Sequence, residues 1–292
     1  MLHAVHWFSV PELPEVETIA RGLHKRAAGD TIETVWLGKK PEPLKSSAKE
    51  IVEVLEGSRI LQVRRVGKHI VFDLERSAKK TKSKPAQHGQ WIVHLGMTGR
   101  MQVTSPDVEI AKHTHAVVTL VSGREVRFVD PRRFGRLAVV RMDSPQAATG
   151  FAAPGDEPLE SQSERFVSLF HERKTPIKSA LLNQKLLSGV GNIYADEALF
   201  RAGIRPRRRA SSLTREQLRR LHAAVQEVLR EAIDLGGSSI SDYVNADGEE
   251  GFFQLQHRVY GREGQPCLVC GTPIKRVVIA GRSSHYCSRC EK

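Results

Sequence analysis

The sequence Pro11-Glu-Leu-Pro-Glu-Val-Glu17 begins the first segment of the chain that has a helical pattern. Apolar residues then recur at the spacing of one helix face, and these are Val16, Ile19, Ala20 and Leu23. Pro14 supplies the backbone angle of a first turn, and the glutamates complement the positive end of the helix dipole. These residues predict a helix that begins near Pro14 and ends by Gly29, and they fit an ordinary helix start.

The composition indicates a soluble protein with a polyanionic partner. The 292 residues are enough for two domains, each with its own core. Lys and Arg number 45 against 33 Asp and Glu, which gives a formal net charge of +12. Such a balance favours a polyanion as a partner and by itself is only a weak indication of nucleic acid. No stretch approaches the about 18 apolar residues that a membrane helix needs.

All four cysteines lie near the carboxyl end, as Cys267-x2-Cys270 and Cys287-x2-Cys290. Two such pairs, sixteen residues apart, are typical of a tetrahedral zinc site with four thiolate ligands. Four thiolates leave no coordination position open to water, so the zinc would be structural. Two disulfides remain an alternative, although nothing else in the sequence suggests secretion.

The rest of the chain divides into a strand-rich half and a helical half. Strands are predicted at 31–37, 59–66, 69–74, 91–95, 115–121 and 125–129, with a short helix at 46–55. Residues 142–165 are rich in Ser, Pro, Ala and Gly and read as a linker. Beyond them, residues 213–235 form the clearest helix, with Thr214 and Gln217 as a capping box.

Two glycines mark a tight turn at Gly189-Val-Gly-Asn192, between two predicted helices. Glycine lets the backbone approach a ligand closely, and amides at the start of the second helix would point at an anion. A simple turn between two helices would have the same sequence features. The glycines alone leave both interpretations open.

Together with these motifs, Pro-Glu-Leu-Pro-Glu-Val-Glu resembles the amino-terminal signature of the formamidopyrimidine-DNA glycosylases. Six motifs fall in family order between Pro11 and Cys290. The resemblance implies an α+β fold with a leading helix and a β-sandwich at 11–141, followed by the linker at 142–165. A helix-two-turns-helix domain at 166–255 and a zinc-ribbon β-hairpin at 256–292 complete it.

The resemblance also gives roles to individual residues. The implied catalytic residues are Pro11, Glu12, Lys68 and Arg282. The implied DNA contacts are Met97, His113, Arg132, Phe134, Arg173, Lys174 and Asn192. A flexible Met, an Arg and a flat Phe are suitable wedges for the gap that an extruded nucleotide leaves. Residue type alone would leave Lys68 and His113 as ordinary surface side chains.

The implied function is that of a bifunctional DNA glycosylase and AP lyase of base excision repair. Such an enzyme removes 8-oxoguanine and formamidopyrimidines from duplex DNA through a proline Schiff base and β,δ-elimination. Leu13, Met97 and the motif Arg132-Arg-Phe134 argue against the endonuclease VIII-like branch, which acts on oxidised pyrimidines. Members of the family often carry Arg or Lys where this chain has Ser241, in the loop that covers the lesion.

Only a terminal proline has the free secondary amine that this chemistry needs. We therefore expect translation to start at Val10, so that Met1 to Ser9 would be a wrongly assigned start and residues 1–10 an extension absent from the mature protein, without a targeting pattern. If the extension is retained, Pro11 is an amide and the alternative is a non-catalytic lesion-binding protein. We further expect a cytoplasmic, nucleoid-associated monomer. The basic run at 76–90 would be a loop with nonspecific attraction to phosphates.

Overall fold

The computed structural model describes residues 10–76, 86–142, 150–239, 246 and 251–292. The chain forms two compact units. The first consists of the described residues of Met1–Pro11, Glu15–Ala152 and Ser238–Gly251, and the second of Glu12–Pro14, Ala153–Gly237 and Phe252–Lys292. Within the described ranges, no helix has both the length and the apolar character that crossing a membrane requires.

Helix α1 spans Leu13–Ala27, with Glu15 in its first turn and three basic residues in its last. Both ends carry the charge that suits the helix dipole. The predicted apolar stripe of Val16, Ile19, Ala20 and Leu23 is buried. Gly29, at φ +86°, allows the chain to turn away after the helix, which is a conformation that glycine adopts readily. The sequence prediction for this helix is confirmed.

Eight strands of the first unit form two antiparallel sheets of four. The strands are β1 (Ile32–Leu37), β2 (Arg59–Val66), β3 (His69–Arg76), β4 (Gln87–His94), β5 (Arg100–Thr104), β6 (Thr114–Leu120), β7 (Glu125–Val129) and β8 (Arg136–Arg141). One sheet has the order β1-β6-β7-β5 and the other the order β2-β3-β4-β8. Helix α2 (Ala48–Leu55) begins at Ser47, whose side chain accepts a hydrogen bond from the Glu50 amide.

Apolar side chains from both sheets and from α1 share one core, so the predicted β-sandwich is confirmed. Its largest buried members are Trp91, Phe72 and Phe128. Strands β5 and β8 were not predicted from the sequence. Both are short, and each begins directly after a glycine-containing turn whose chemistry dominates the local sequence.

The second unit contains four further helices and a two-stranded hairpin. They are α3 (Ser163–Phe170), α4 (Ile177–Leu181), α5 (Asn192–Ala202), α6 (Arg215–Asp234), β9 (Lys275–Ile279) and β10 (Arg282–Tyr286). The capping box of Thr214 and Gln217 is present at the start of α6, as the sequence predicted. Helix α3 begins within the segment predicted as linker, because Phe166, Val167 and Phe170 supply a buried face.

Candidate nucleic-acid interface and metal centre

The carboxylate of Glu12 lies at the amino-terminal end of α5 in the second unit. Its Oε1 accepts a hydrogen bond from the Ile193 amide at 3.1 Å, and the side chain is 3% exposed. Next to it, the Leu13 amide donates to the Gly189 carbonyl at 3.1 Å. An amide at the positive end of a helix stabilises an anion. The anion at the glycine turn is therefore the carboxylate of Glu12, a side chain of the protein itself.

Gly191 shows why this turn needs glycine. A Cβ at this position would overlap the Glu12 carboxyl group. We expect Gly191→Ala to displace that carboxylate and to lower the free energy of unfolding by about 1–3 kcal/mol, the usual cost of overpacking. Urea unfolding of both proteins tests this. Gly38→Ala is the control for an added methyl group, since a Cβ there would come no closer than 3.2 Å to another atom and its φ is not positive. Equal free energies of unfolding for Gly191→Ala and the unchanged protein would contradict the prediction.

Asn192, Tyr260 and the hairpin meet near the same helix end. The Asn192 side-chain amide donates to Ser283 Oγ at 3.4 Å, and the Tyr260 ring packs edge-on against His285 of the hairpin, with ring centres 5.1 Å apart. Burial and the negative charge of Glu12 raise the pKa of Tyr260 to about 12, so the phenol keeps its proton at neutral pH. Arg282 precedes Ser283 and is exposed at the tip of the hairpin. Glu12, Asn192 and Arg282, all predicted from sequence, thus lie in one region of the second unit.

A buried ion pair fixes strand β10 against α5. Lys178 Nζ lies 2.6 Å from Asp196 Oδ1 and donates to the Ser283 carbonyl at 2.7 Å. Asp196 Oδ2 also accepts the backbone amide of His285 at 2.9 Å. Burial lowers the pKa of Lys178, and the charges of Asp196 and Glu12 oppose that shift. This pair was not predicted from the sequence, because a lysine in a short helix is usually exposed to solvent.

The two wedge turns of the first unit are joined by Asp130. Its buried carboxylate accepts hydrogen bonds from Thr98 Oγ1 at 2.5 Å, the Arg132 amide at 3.2 Å and the Gly135 amide at 2.7 Å. Thr98 follows Met97, which is half-buried. The Arg132 guanidinium carbon lies 4.8 Å from the ring centre of Phe134, and that ring is 52% exposed. The structure therefore brings the two predicted turns together, and it adds Asp130 as their support.

Lys68 occupies the two-residue turn between β2 and β3, after Gly67 at φ +58°. The strand that follows brings His69 close to His94, with ring centres 4.9 Å apart. Burial, followed by the positive charges of His69, Arg136 and Lys68, lowers the pKa of His94 to about 4. His94 is neutral at pH 7, and its Nδ1 accepts the Gly96 amide at 3.1 Å. Its Nε2 therefore carries the proton and can donate to an anion.

The remaining predicted phosphate contacts are exposed. His113 adopts φ +70°, and its carbonyl accepts the Asp130 amide at 3.0 Å, which places it beside the wedge turns. Arg173 and Lys174 follow α3 in the second unit. Ser241 and the lysines of the basic run, Lys79, Lys80, Lys82 and Lys84, lie outside the described residues.

The four cysteines form one cluster, with all four sulfur atoms within 4.8 Å of one another. Cys267 Sγ lies 3.9 Å from Cys290 Sγ, and Cys270 Sγ lies 3.5 Å from Cys287 Sγ. Tetrahedral zinc with Zn–S bonds of about 2.3 Å places its ligands about 3.8 Å apart, so the cluster fits one zinc ion. A disulfide requires about 2.05 Å, which these distances exclude. The Glu291 carboxylate accepts the Cys287 amide at 2.6 Å and supports one ligand from outside the cluster.

The structure combines exposed cations, the exposed Phe134 ring and a hairpin with four clustered cysteines. This combination is that of a zinc-containing protein that binds nucleic acid. Three family models match the chain: the formamidopyrimidine-DNA glycosylase N-terminal domain at 10–137, the H2TH domain of the same glycosylase at 154–244, and a zinc finger found in FPG and IleRS at 264–292. The chain belongs to the formamidopyrimidine-DNA glycosylase family.

Individual relatives of known name or structure can be aligned with nearly the whole chain. A formamidopyrimidine-DNA glycosylase of Solibacter usitatus is 45% identical over 97% of this chain and 100% of its own length. The crystal structure of the MutM (Fpg) protein from Thermus thermophilus is 43% identical, with a TM-score of 0.78 over 96% of this chain and 98% of its own. A complex of the Lactococcus lactis Fpg protein with THF-DNA and an inhibitor is 31% identical, with a TM-score of 0.83 over 97% of this chain and 100% of its own.

Proposed function

We propose that the protein is a bifunctional DNA glycosylase and AP lyase of base excision repair that acts on oxidised purines. The observation that carries this proposal is the buried carboxylate of Glu12, which directly follows Pro11 and is held by the Ile193 amide. A nucleophile followed by a fixed proton-transfer group is what base release through a covalent intermediate needs. A mutant of the Lactococcus lactis Fpg protein was solved with DNA that contains Fapy-dG, and the wild-type protein with DNA that contains an oxidised pyrimidine. The first supports the proposed substrate class, and the second is the reason for including an oxidised pyrimidine in the test.

In the proposed reaction, the Pro11 nitrogen forms a bond to C1′ of the damaged nucleoside. The carboxylate of Glu12 takes the proton that the Pro11 amine loses and passes it to O4′ as the C1′–O4′ bond breaks and the sugar ring opens. The bond from C1′ to the base also breaks, and the base leaves with a proton from solvent. The resulting iminium ion acidifies C2′, so β-elimination breaks the C3′–O bond and δ-elimination then breaks the C5′–O bond. Amino-terminal amines have a pKa of about 7.7–8.0, so a useful fraction is unprotonated near neutrality.

This chemistry requires that Pro11 is the first residue of the mature protein. We propose that translation starts at Val10 and that the initiating residue is removed. The match to the family begins at residue 10, and the Solibacter usitatus relative matches over its full length while covering 97% of this chain. These matches support the proposed start.

The other predicted residues have supporting roles in the proposal. Lys68 and Arg282 assist the eliminations. Met97, Arg132 and Phe134 fill the gap left by the extruded nucleotide. The phosphate contacts are His113, Arg173, Lys174 and Asn192. The protein would act as a monomer on damaged duplex DNA in the cytoplasm, associated with the nucleoid.

The test is excision from matched duplexes that differ in one base. These contain 8-oxoguanine, a formamidopyrimidine, an oxidised pyrimidine or no lesion. We expect the protein that begins at Pro11 to release the two purine lesions fastest and to leave a one-nucleotide gap flanked by phosphates. Faster release of the oxidised pyrimidine would favour the endonuclease VIII-like alternative. Binding without release of any base would favour the non-catalytic alternative.

A further inference from the structure

An arginine-rich segment between α5 and α6 has no role in the function proposed above. Residues 205–209 read Arg-Pro-Arg-Arg-Arg, and residues 198–215 contain no Asp or Glu. Arg207 and Arg209 are exposed. Arg208 differs from them in being half-buried, and its guanidinium group donates to the Ser212 carbonyl at 2.9 Å.

Backbone pairing places this segment beside two of the predicted phosphate contacts. Four backbone hydrogen bonds join the two segments. The amides of Ile177 and Lys178 donate to the carbonyls of Arg208 at 2.7 Å and Pro206 at 3.3 Å, and the amides of Ala210 and Ser211 donate to the carbonyls of Thr175 at 3.0 Å and Arg173 at 2.7 Å. Four exposed cations therefore lie on two paired segments of the second unit. We call them the basic cluster, which consists of Arg173, Lys174, Arg207 and Arg209.

The basic cluster extends to the zinc hairpin. The Arg207 guanidinium group donates to the Val278 carbonyl in β9 at 3.5 Å. Val278 pairs with Ser283 in β10, and Arg282 precedes Ser283. Positively charged side chains therefore extend from Arg173 and Lys174, after α3, through Arg207 to Arg282 on β10.

The charges of the basic cluster are not balanced locally. Other arginines of the second unit have carboxylate partners: Arg165 with Asp156 at 2.6 Å, Arg201 with Glu231 at 2.5 Å, and Arg219 with Glu164 at 2.8 Å. In the described parts of the chain, no member of the basic cluster forms such a pair, and Glu172, which precedes Arg173, is the one acid next to it in sequence. Neighbouring like charges repel one another, and a polyanion removes that repulsion.

We propose that Arg207 and Arg209 contact phosphates of the DNA duplex in addition to those assigned to Arg173 and Lys174. The inference rests on the proposed function, because the duplex is the substrate. Contacts of this kind are independent of base sequence, and each releases bound counterions. Arg207 and Arg209 would therefore set the affinity and its dependence on salt, while the lesion is recognised elsewhere.

The test measures binding to a duplex with a tetrahydrofuran abasic analogue at several KCl concentrations. Each phosphate contact contributes about 0.9 to the slope of log affinity against log salt. We expect the double variant Arg207→Gln/Arg209→Gln to lower the magnitude of that slope by about 1.8. The variant Arg207→Lys/Arg209→Lys should restore it, because lysine keeps the charge. The control Arg215→Gln/Arg219→Gln removes the same charge from arginines beside Glu164 and should keep the wild-type slope.

An unchanged salt slope in the glutamine variant overturns the inference. An equal decrease of the slope in the Arg215/Arg219 control also overturns it, and so does a lysine variant that does not restore the slope. If the double variant does not fold, the two single glutamine variants carry the test, each with an expected loss of about 0.9. Failure of the proposed function gives a different result, because wild-type protein would then release no base from the lesion duplexes at any salt concentration.

Discussion

Glu12→Gln is expected to slow release of 8-oxoguanine by about 10²–10⁴-fold in single-turnover reactions, which is the usual range for loss of a general acid or base. Glutamine has nearly the same shape, and its carbonyl oxygen can still accept the Ile193 amide that Glu12 binds. The fold around the start of α5 should therefore persist. The ability to transfer a proton is removed, together with the negative charge of the carboxylate.

The decisive comparison separates binding from chemistry. Glu12→Gln should bind the tetrahydrofuran duplex within a few-fold of wild type, because Glu12 is buried and carries no assigned phosphate contact. Glu17→Gln is the matched control, because Glu17 lies a few residues further on, in α1, and pairs with Arg21 and Arg65 instead. The Glu17→Gln control should release 8-oxoguanine at close to the wild-type rate. Equal excision by Glu12→Gln and wild type would remove Glu12 from the mechanism.

Loss of the zinc ion is expected to abolish tight DNA binding. Structural zinc sites contribute apparent binding energies of about 10–16 kcal/mol to small zinc domains, and that energy drives their folding. Here the ligands share a small cluster with few apolar residues, namely Phe200, Val259 and Ile274. This cluster is too small to order the hairpin without metal. Arg282 would then lose its fixed position.

Cys270→Ser tests this dependence on zinc. We expect zinc content to fall from one ion per chain to none, and the affinity for lesion duplex to fall by about 100-fold, or about 2.7 kcal/mol. Leu268→Ser is the control, because Leu268 lies between two ligands and is exposed. It should keep both zinc and affinity. A zinc-free Cys270→Ser protein with wild-type affinity would show that the hairpin orders itself without metal.

Local signals explain what the sequence predicted well. The α1 stripe, the capping box of α6 and the spacing of the cysteines each lie within a short window and depend on one physical requirement. Strand β7 was predicted with its observed bounds, Glu125–Val129, because its alternation is undisturbed by a turn. The family motifs likewise placed Met97, Arg132 and Phe134 in turns that the structure brings together through Asp130.

Partners distant in sequence explain what could not be predicted. Lys178 and Asp196 form a buried pair that also involves His285, 89 residues beyond Asp196. No local pattern distinguishes such a lysine from one exposed to solvent. Asp130 was visible within its motif, but its role depends on Thr98 from another turn. The pKa of His94 falls because burial, the neighbouring His69 imidazole and the charges of Arg136 and Lys68 act together, and sequence does not show that combination.

The most direct test of the central claim is borohydride trapping on 8-oxoguanine duplex. The gene is expressed from its own upstream region, the complex is reduced, and the cross-linked peptide is mapped by mass spectrometry. We predict a covalent adduct on the nitrogen of an amino-terminal Pro11. An adduct on a lysine, or no adduct from a protein that still releases the base, would contradict the proposed nucleophile.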